Sequence, residues 1–372
     1  MANSTGRRKA FADILAHRTP DRVLLDLCGC PLAGLSAEAE TGLVQYFGFK
    51  GDRASQREQL LCELDIDTRG VGDILTPQKS LAREISDTLR ISAWGWKSKF
   101  TGLYWDNVEF PLADADVDDL DKYPWPDPDT ISEKEVDAIV ERARYLHEET
   151  DYVICASHPV FGIFELGCWM CGFEEFMVRM MIDKPFVHRF FEIILEYQKK
   201  VNAIYYPRLA PYIDFTSSGD DFATQANLFV SPELFREMVQ PYFADRIADT
   251  KKHANVPFLH HSCGNVTRLI PQLLESGVNM LNPIQPTGPD MYPVNLKAKF
   301  GDSIVFHGGL DTQQVLPTGT KETVTQAVND LLDVMQPNGG YVFAAAHNLQ
   351  ADVPVENIVT MFRAARAWKP SR

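Results

Sequence analysis

The chain has 372 residues, of which 45% are hydrophobic, and a formal net charge of −15. That length holds two average domains or one large α/β barrel with additions, and supplies ample apolar material for its core. The acidic excess argues against nucleic acid or an anionic membrane surface as partner, because phosphate binding needs a basic surface.

The N-terminus, Met1 to Lys9, is basic, but the apolar stretch after it is too short and too charged for a signal peptide. No apolar run approaches the roughly 18 residues of a spanning helix. Seven cysteines at irregular spacing do not read as a disulfide framework, so a reducing cytoplasm is expected. A first helix is predicted from Arg8 to His17, with Phe11, Ile14 and Leu15 on one face. Thr19 to Arg22 ends this N-terminal segment (1–22) and leads into a strand, Val23 to Leu27. Helices follow at Ala37–Phe47 and Ser55–Leu61, then extended pieces at Gly70–Leu75 and Ser92–Tyr104. Trp94, Trp96 and Phe100 lie an even number of positions apart, so a strand would place them on one face. With Tyr104 and Trp105 they suggest a hairpin insertion, 92–128, that lies over a site as a cover or simply packs. Asp114 to Asp121 superficially resembles a calcium loop but lacks its glycine and terminal glutamate, and reads as an acidic turn. Pro124-Trp125-Pro126 breaks the chain.

From residue 133 the pattern turns regular. Helix Glu133–Glu148, strand Tyr152–Ala156, helices Phe173–Ile182 and Pro185–Tyr205, and strand Tyr212–Phe215 come first. Ser231-Pro232-Glu233 then starts a helix, a capping serine before proline. Beyond it strands Val256–His261, Met280–Ile284, Ile304–His307 and Tyr341–Ala345 alternate with helices Val266–Glu275, Val294–Lys299, Lys321–Met335 and Pro354–Trp368. Strands spaced by helices argue for parallel βαβ units. Counting the early strands gives about eight, hence a single α/β domain over 1–372, a (β/α)8 TIM barrel. An open doubly wound sheet is the alternative.

Barrel chemistry sits at the C-terminal ends of strands, and the polar residues cluster there: His158, Asp220, Asp221, His261, Cys263, Asn282, Gln285, His307, Asp311 and His347. His261 and Cys263 are two apart, on one face of a strand, and His347 closes another strand. Three protein ligands with a fourth position open is the pattern of a catalytic zinc. The plain alternative is a backbone-bonded histidine beside a small apolar cysteine. His260 points to the opposite face. Glu165, a charge inside an apolar stretch, is either salt-bridged or faces a cavity. Asp220 and Asp221 cap the following loop or orient a metal-bound histidine. Cys168-Trp169-Met170-Cys171 stands alone and reads as packed core, as does Cys28-Gly29-Cys30. His307 to Asp311 reads as a tight turn, without the spacing of a phosphate loop.

Several stretches together resemble the uroporphyrinogen decarboxylase superfamily: Gly219 to Gln225, Ser231 to Phe235, His261 to Asn265, Asn282 to Pro286, Phe306 to Asp311, and Pro354 to Ile358. The resemblance is strongest from about residue 150 onward and implies a (β/α)8 barrel. The superfamily's decarboxylases grip an acidic tetrapyrrole with an R-Q-A-G-R motif after the first strand, where this chain reads Cys28 to Leu32 without arginine. The other branch, similar to methylcobalamin:coenzyme M methyltransferases, binds zinc through H-x-C plus a distant cysteine. His261 and Cys263 match, while His347 replaces the distant cysteine. One thiolate and two neutral imidazoles leave zinc formally +1, a better Lewis acid than a two-thiolate site. The resemblance implies zinc, a small methylated substrate (methyl ether, methylamine or thiol) and a corrinoid on a partner protein, since no D-x-H-x-x-G module occurs here. Leaving-group activation and thiol activation are both open to such a zinc. Glu165, Asp220 and Asp221 are the expected catalytic residues; His158, Gln285, His307 and Trp105 the substrate contacts. A homodimer is open. A decarboxylase-like lyase or a non-catalytic corrinoid-binding barrel are the alternatives.

Overall fold

The computed structural model describes residues 6–102, 105–288 and 290–370. Among them, seven parallel strands pair in sequence order: β1 (Thr68–Val71), β6 (Val153–Ser157), β7 (Phe215–Gly219), β8 (Phe258–His261), β9 (Met280–Asn282), β10 (Val305–His307) and β11 (Tyr341–Val342). Strands β2 (Arg83–Ser86), β3 (Leu89–Ile91), β4 (Lys97–Phe100) and β5 (Trp105–Glu109) form a separate antiparallel sheet between β1 and β6.

The expected first strand is reduced to a single parallel bridge, Leu25 to Phe343. That bridge nonetheless closes the ring. Asp26 N–H donates to Phe343 O and Phe343 N–H to Leu24 O, while Asp67 N–H, at the entry to β1, donates to Leu25 O. The Asp67 carboxylate in turn accepts from Leu25 N–H at 2.8 Å. The fold is the (β/α)8 barrel.

Pleating explains the interior. Val153, Cys155, Phe215, Leu259, Met280, Val305 and Val342 form one buried cluster with Phe11 and Ile14. These are the inward faces of consecutive strands, and helix Arg7–Leu15 plugs the floor, with Phe11 against Phe215 at 5.3 Å between ring centroids. One repeat further along, the same face carries Ser157, Ser217, His261, Asn282 and His307. The outer helices bury one stripe each. Lys321–Met335, for example, hides Val324, Val328, Leu331, Leu332 and Met335 at helical spacing and is capped by Thr320.

Four expectations change. Helix Ile163–Cys171 had no visible signature, because all but Glu165 and Trp169 are buried and no polar face interrupts the run. Strand β7 begins three and ends four residues later than expected, over Thr-Ser-Ser-Gly: Ser217 faces the barrel interior, while Thr216 and Ser218 bond outward to Tyr206 and Arg246. The insertion begins at Arg83 and has four strands. Within it Trp94 sits in a turn: Ser92 Oγ accepts from Trp94 and Gly95 N–H, and Gly95 takes φ of 102°, open to glycine. Trp94 and Trp96 are buried, but Phe100 is exposed, so the three do not share a packed face. Tyr104 lies outside the described residues. The acidic stretch forms a short helix, Val117–Leu120, with Asp116 and Asp119 in a capping box.

Candidate metal centre and its two cavities

Strand β8 ends at His261, and Ser262 turns the chain so that Cys263 follows at the rim. His261 Nε2 lies 3.4 Å from Cys263 Sγ. Together with His347, beyond β11, their ligand atoms lie within 4.8 Å of one another. Gly264 makes the turn possible: its φ is 84°, and a Cβ there would lie 2.4 Å from Thr224 O. Its N–H donates to Gln285 Oε1 at 2.5 Å.

A buried hydrogen-bonded chain stands behind His261. Its Nδ1 meets Asn282 Oδ1 at 2.5 Å, Asn282 Nδ2 meets His307 Nδ1 at 2.7 Å, and His307 Nε2 meets Asp26 Oδ2 at 2.7 Å. Asp26 also accepts from Thr68 Oγ1 and from Gly29 N–H. Donors alternate with acceptors along this row. A carboxylate at one end requires a proton on His307 Nε2; the amide then donates to Nδ1, and its oxygen accepts a hydrogen bond from His261 Nδ1–H. His261 Nε2 is left bare, facing Cys263 and His347. Burial depresses His307, yet the hydrogen bond and charge of Asp26 raise its pKa overall. Protonating Nδ1 as well would force the Asn282 amide to turn over and put a proton on His261 Nε2. The bare-nitrogen arrangement is thus the one with neutral His307.

The donors suit a borderline divalent ion: two imidazoles and one thiol, soft enough for zinc and too few in oxygen for calcium. Burial, with Asp221 and Glu165, pushes the Cys263 thiol up to about 12. His347 is lowered by burial and by His261, so its ring is neutral.

The acids divide. Asp221 Oδ1 accepts from Cys263 N–H at 2.7 Å and lies 3.7 Å from His261 Nε2, beside the triad. Asp220 does not reach it. Its carboxylate accepts from Phe164 and Glu165 N–H, 3.1 and 2.8 Å, and so caps the start of helix Ile163–Cys171. Burial pushes Asp220 up to about 7, against those two donors and Arg246. Glu165 lines a cavity, as one of its two readings had it, and burial followed by Asp221 and Asp220 holds it well above the carboxylate range.

Two cavities flank the triad. One, of about 480 Å³, is lined by Cys263, Gln285, Asp311, His347, Asn348 and Asp352 among others. The other, of about 310 Å³, is lined by Leu32, Ile74, Phe161, Glu165, Trp169, Asp221 and His261 among others. Gln285 and His158 therefore border cavities, though the His158 ring nitrogens already face Val160 and Thr250. His307, expected at the substrate, is instead fully buried inside the barrel. Trp105, likewise expected there, lies on β5 beneath Arg90 and beside Phe100, apart from both linings. Cys168 and Cys171 are buried free thiols, raised by burial. Asp26 went unnoticed in the sequence; its signal was an acid inside the apolar run Val23 to Leu27.

Fold and site together define a (β/α)8 barrel with a candidate metal centre on its C-terminal rim. The uroporphyrinogen decarboxylase (URO-D) family matches residues 107–368. The chain belongs to that family. It is similar to a methylated-thiol–coenzyme M methyltransferase of Methanosarcina mazei, 27% identical over 137 residues, or 37% of this chain and 34% of the relative. The match thus spans about a third of that relative's length. A solved methyltransferase from Methanosarcina mazei shares the fold, with a TM-score of 0.63 at 16% identity over 96% of this chain and 98% of the other. A GH10 endoxylanase from a sugarcane soil metagenome reaches a TM-score of only 0.39 at 9% identity, over 59% and 73% of the two chains, and carries no argument. Among the described residues no helix is long and apolar enough to cross a membrane.

Proposed function

We propose that this protein is a zinc-dependent methyltransferase that moves a methyl group from a small methylated substrate to the cobalt of a corrinoid carried by another protein. The single observation that supports it most is the convergence of His261, Cys263 and His347, with ligand atoms within 4.8 Å, between two open cavities. Zinc, when bound, supplies Lewis acidity toward the leaving group. His261, Cys263 and His347 would hold it.

The remaining roles belong to the chain. Asp26, His307 and Asn282 hold the His261 ring with Nε2 bare. Asp221 fixes the Cys263 backbone. Glu165, whose carboxyl is held well above the usual range by burial and then by Asp221 and Asp220, is the proton donor to the departing atom. Phe161 and Trp169 form the aromatic wall of the smaller cavity. Leaving-group activation is favoured over thiol activation because the ligand set carries one thiolate and not two. A tetrapyrrole decarboxylase is disfavoured: among the described residues neither cavity is lined by a lysine or arginine to meet carboxylates.

The test is zinc content, and methyl transfer to cob(I)alamin, in wild type, Cys263→Ala and His347→Ala. Stoichiometric zinc in wild type and its loss in both variants is expected. Zinc retained in either variant overturns the ligand set; absence of transfer from any methyl ether, amine or thioether overturns the activity.

A further inference from the structure

The two cavities at the triad differ in chemistry, and that difference sorts substrates. The smaller is walled by Leu32, Ile74, Val160, Phe161 and Trp169. Its aromatic wall is braced: Phe161 and Trp169 meet edge to face at 5.1 Å, and Trp96 of the insertion packs on Trp169 at 5.3 Å. Its acidic lining is Asp73, Glu165 and Asp221, with no lysine or arginine among the described lining residues. The nearby Arg246 is fully buried behind the wall, its Nη2 donating to Ser218 Oγ and Val160 O.

Size and charge then narrow the ligand. An apolar cavity of ~150 Å³ takes up benzene, so about 310 Å³ leaves room for one substituted ring. An anionic substrate would lose its hydration and meet the carboxylates of Asp73 and Asp221, with no lysine or arginine among the described lining residues. A protonated or quaternary amine has no lone pair to offer a Lewis acid. An ether oxygen has two, and carries no charge to desolvate.

We propose that the smaller cavity binds the non-methyl part of an uncharged methyl ether, an aryl or branched alkyl group, and that carboxylated and sulfonated compounds are excluded as methyl donors or acceptors. The oxygen lies toward His261 and the methyl group toward the cleft lined by Cys263 and His347, where the cobalt approaches in line. The methyl C–O bond breaks with its electron pair left on oxygen, which takes a proton from Glu165. Cobalt(I) supplies both electrons of the new cobalt–carbon bond and becomes cobalt(III). An alcohol or phenol leaves. This assignment rests on the methyltransferase reading above.

Two measurements on the purified protein test it. Quenching of tryptophan fluorescence reports binding of 2-methoxyphenol, 4-methoxybenzoate, tetramethylammonium and 2-mercaptoethanesulfonate. The neutral ether should bind about tenfold or more tightly than the two anions, a modest electrostatic discrimination. Changing exposed Asp73→Lys in the cavity lining should tighten 4-methoxybenzoate several-fold relative to 2-methoxyphenol. Equal or tighter binding of either anion by wild type overturns the assignment. The second measurement is methyl transfer from the same ethers to cob(I)alamin. Preferential demethylation of 2-methoxyphenol supports the proposal; preferential use of 4-methoxybenzoate, or methylation of the sulfonated thiol by methylcobalamin, overturns the substrate class but leaves the methyltransferase standing. No transfer from any compound overturns both.

Discussion

Two layers of side chains fill the barrel, drawn from the same strands one pleat repeat apart. The lower layer, Val153, Cys155, Phe215, Leu259, Met280, Val305 and Val342, is apolar and closed below by Phe11 and Ile14. The upper layer holds Asp26, His261, Asn282 and His307, equally buried but joined by hydrogen bonds. Burial alone therefore does not distinguish support from chemistry. In the lower layer each side chain is replaceable by another of its volume; in the upper, each donor needs a specific acceptor, and one wrong group leaves its neighbour unpaired.

The sharpest way to break this contrast is a matched pair of truncations on β8. His261→Ala should abolish zinc binding and cut methyl transfer at least ~10³-fold, on the scale of losing a ligand of a catalytic metal. The metal-free fold should lose about 1–3 kcal/mol, because buried Asn282 Oδ1 is left without its partner. Leu259→Ala, two residues earlier, should cost about 2–5 kcal/mol of stability while zinc stays stoichiometric. Denaturant unfolding and metal analysis on both variants decide the matter; a His261 variant less stable than the Leu259 variant would erase the distinction between layers.

Asn282→Ala sharpens it further. It keeps every metal ligand and removes only the bridge between His261 and His307. Zinc affinity, measured by competition with a chromophoric chelator, should fall about 10–100-fold. Asn282→Asp should restore part of it, since a carboxylate still accepts from His261 Nδ1 but cannot donate to His307. A variant as tight as wild type would reduce the chain of hydrogen bonds to packing.

How much of this was legible in the sequence depends on the layer. The barrel followed from strand–helix alternation after residue 133, and the triad from the spacing of His261 and Cys263 with His347 at an equivalent strand end. Helix Ile163–Cys171 was not legible, because burial on all sides removes the period that marks a helix. Strand β7 was misplaced because Thr216, Ser217 and Ser218 look like a loop until the barrel gives Ser217 an interior to face and Tyr206 and Arg246 partner the other two. Asp26 and His307 were the harder case. Partners 281 positions apart are brought together only by ring closure, which one bridge at Leu25 accomplishes.

Smaller still is the proton count of metal binding. The Cys263 thiol, raised to about 12 by burial, Asp221 and Glu165, is protonated at neutral pH, whereas His347 is lowered and neutral. Zinc binding should therefore release about one proton from Cys263 at pH 7–8, and affinity should rise about tenfold per pH unit there. Titration calorimetry in two buffers of different ionisation enthalpy measures this. Residual binding by Cys263→Ala should release none, and an unchanged count there would mean the proton comes from another group.

The smallest effect belongs to the insertion. Trp105 packs under Arg90 at 4.1 Å and beside Phe100 at 5.6 Å, and is not among the described lining residues of either cavity. Trp105→Ala should cost about 0.5–1 kcal/mol, the scale of a partly exposed cation–π contact, and leave methyl transfer within about twofold. Trp96→Ala is its counterpart, because Trp96 braces Trp169 and Phe161, which line the smaller cavity. Loosening that brace should raise the KM for an ether substrate several-fold with little change in kcat, the signature of lost ground-state positioning. A Trp105 variant that loses activity as Trp96→Ala does would move the outer strand into the site and make the insertion a cover, not a buttress.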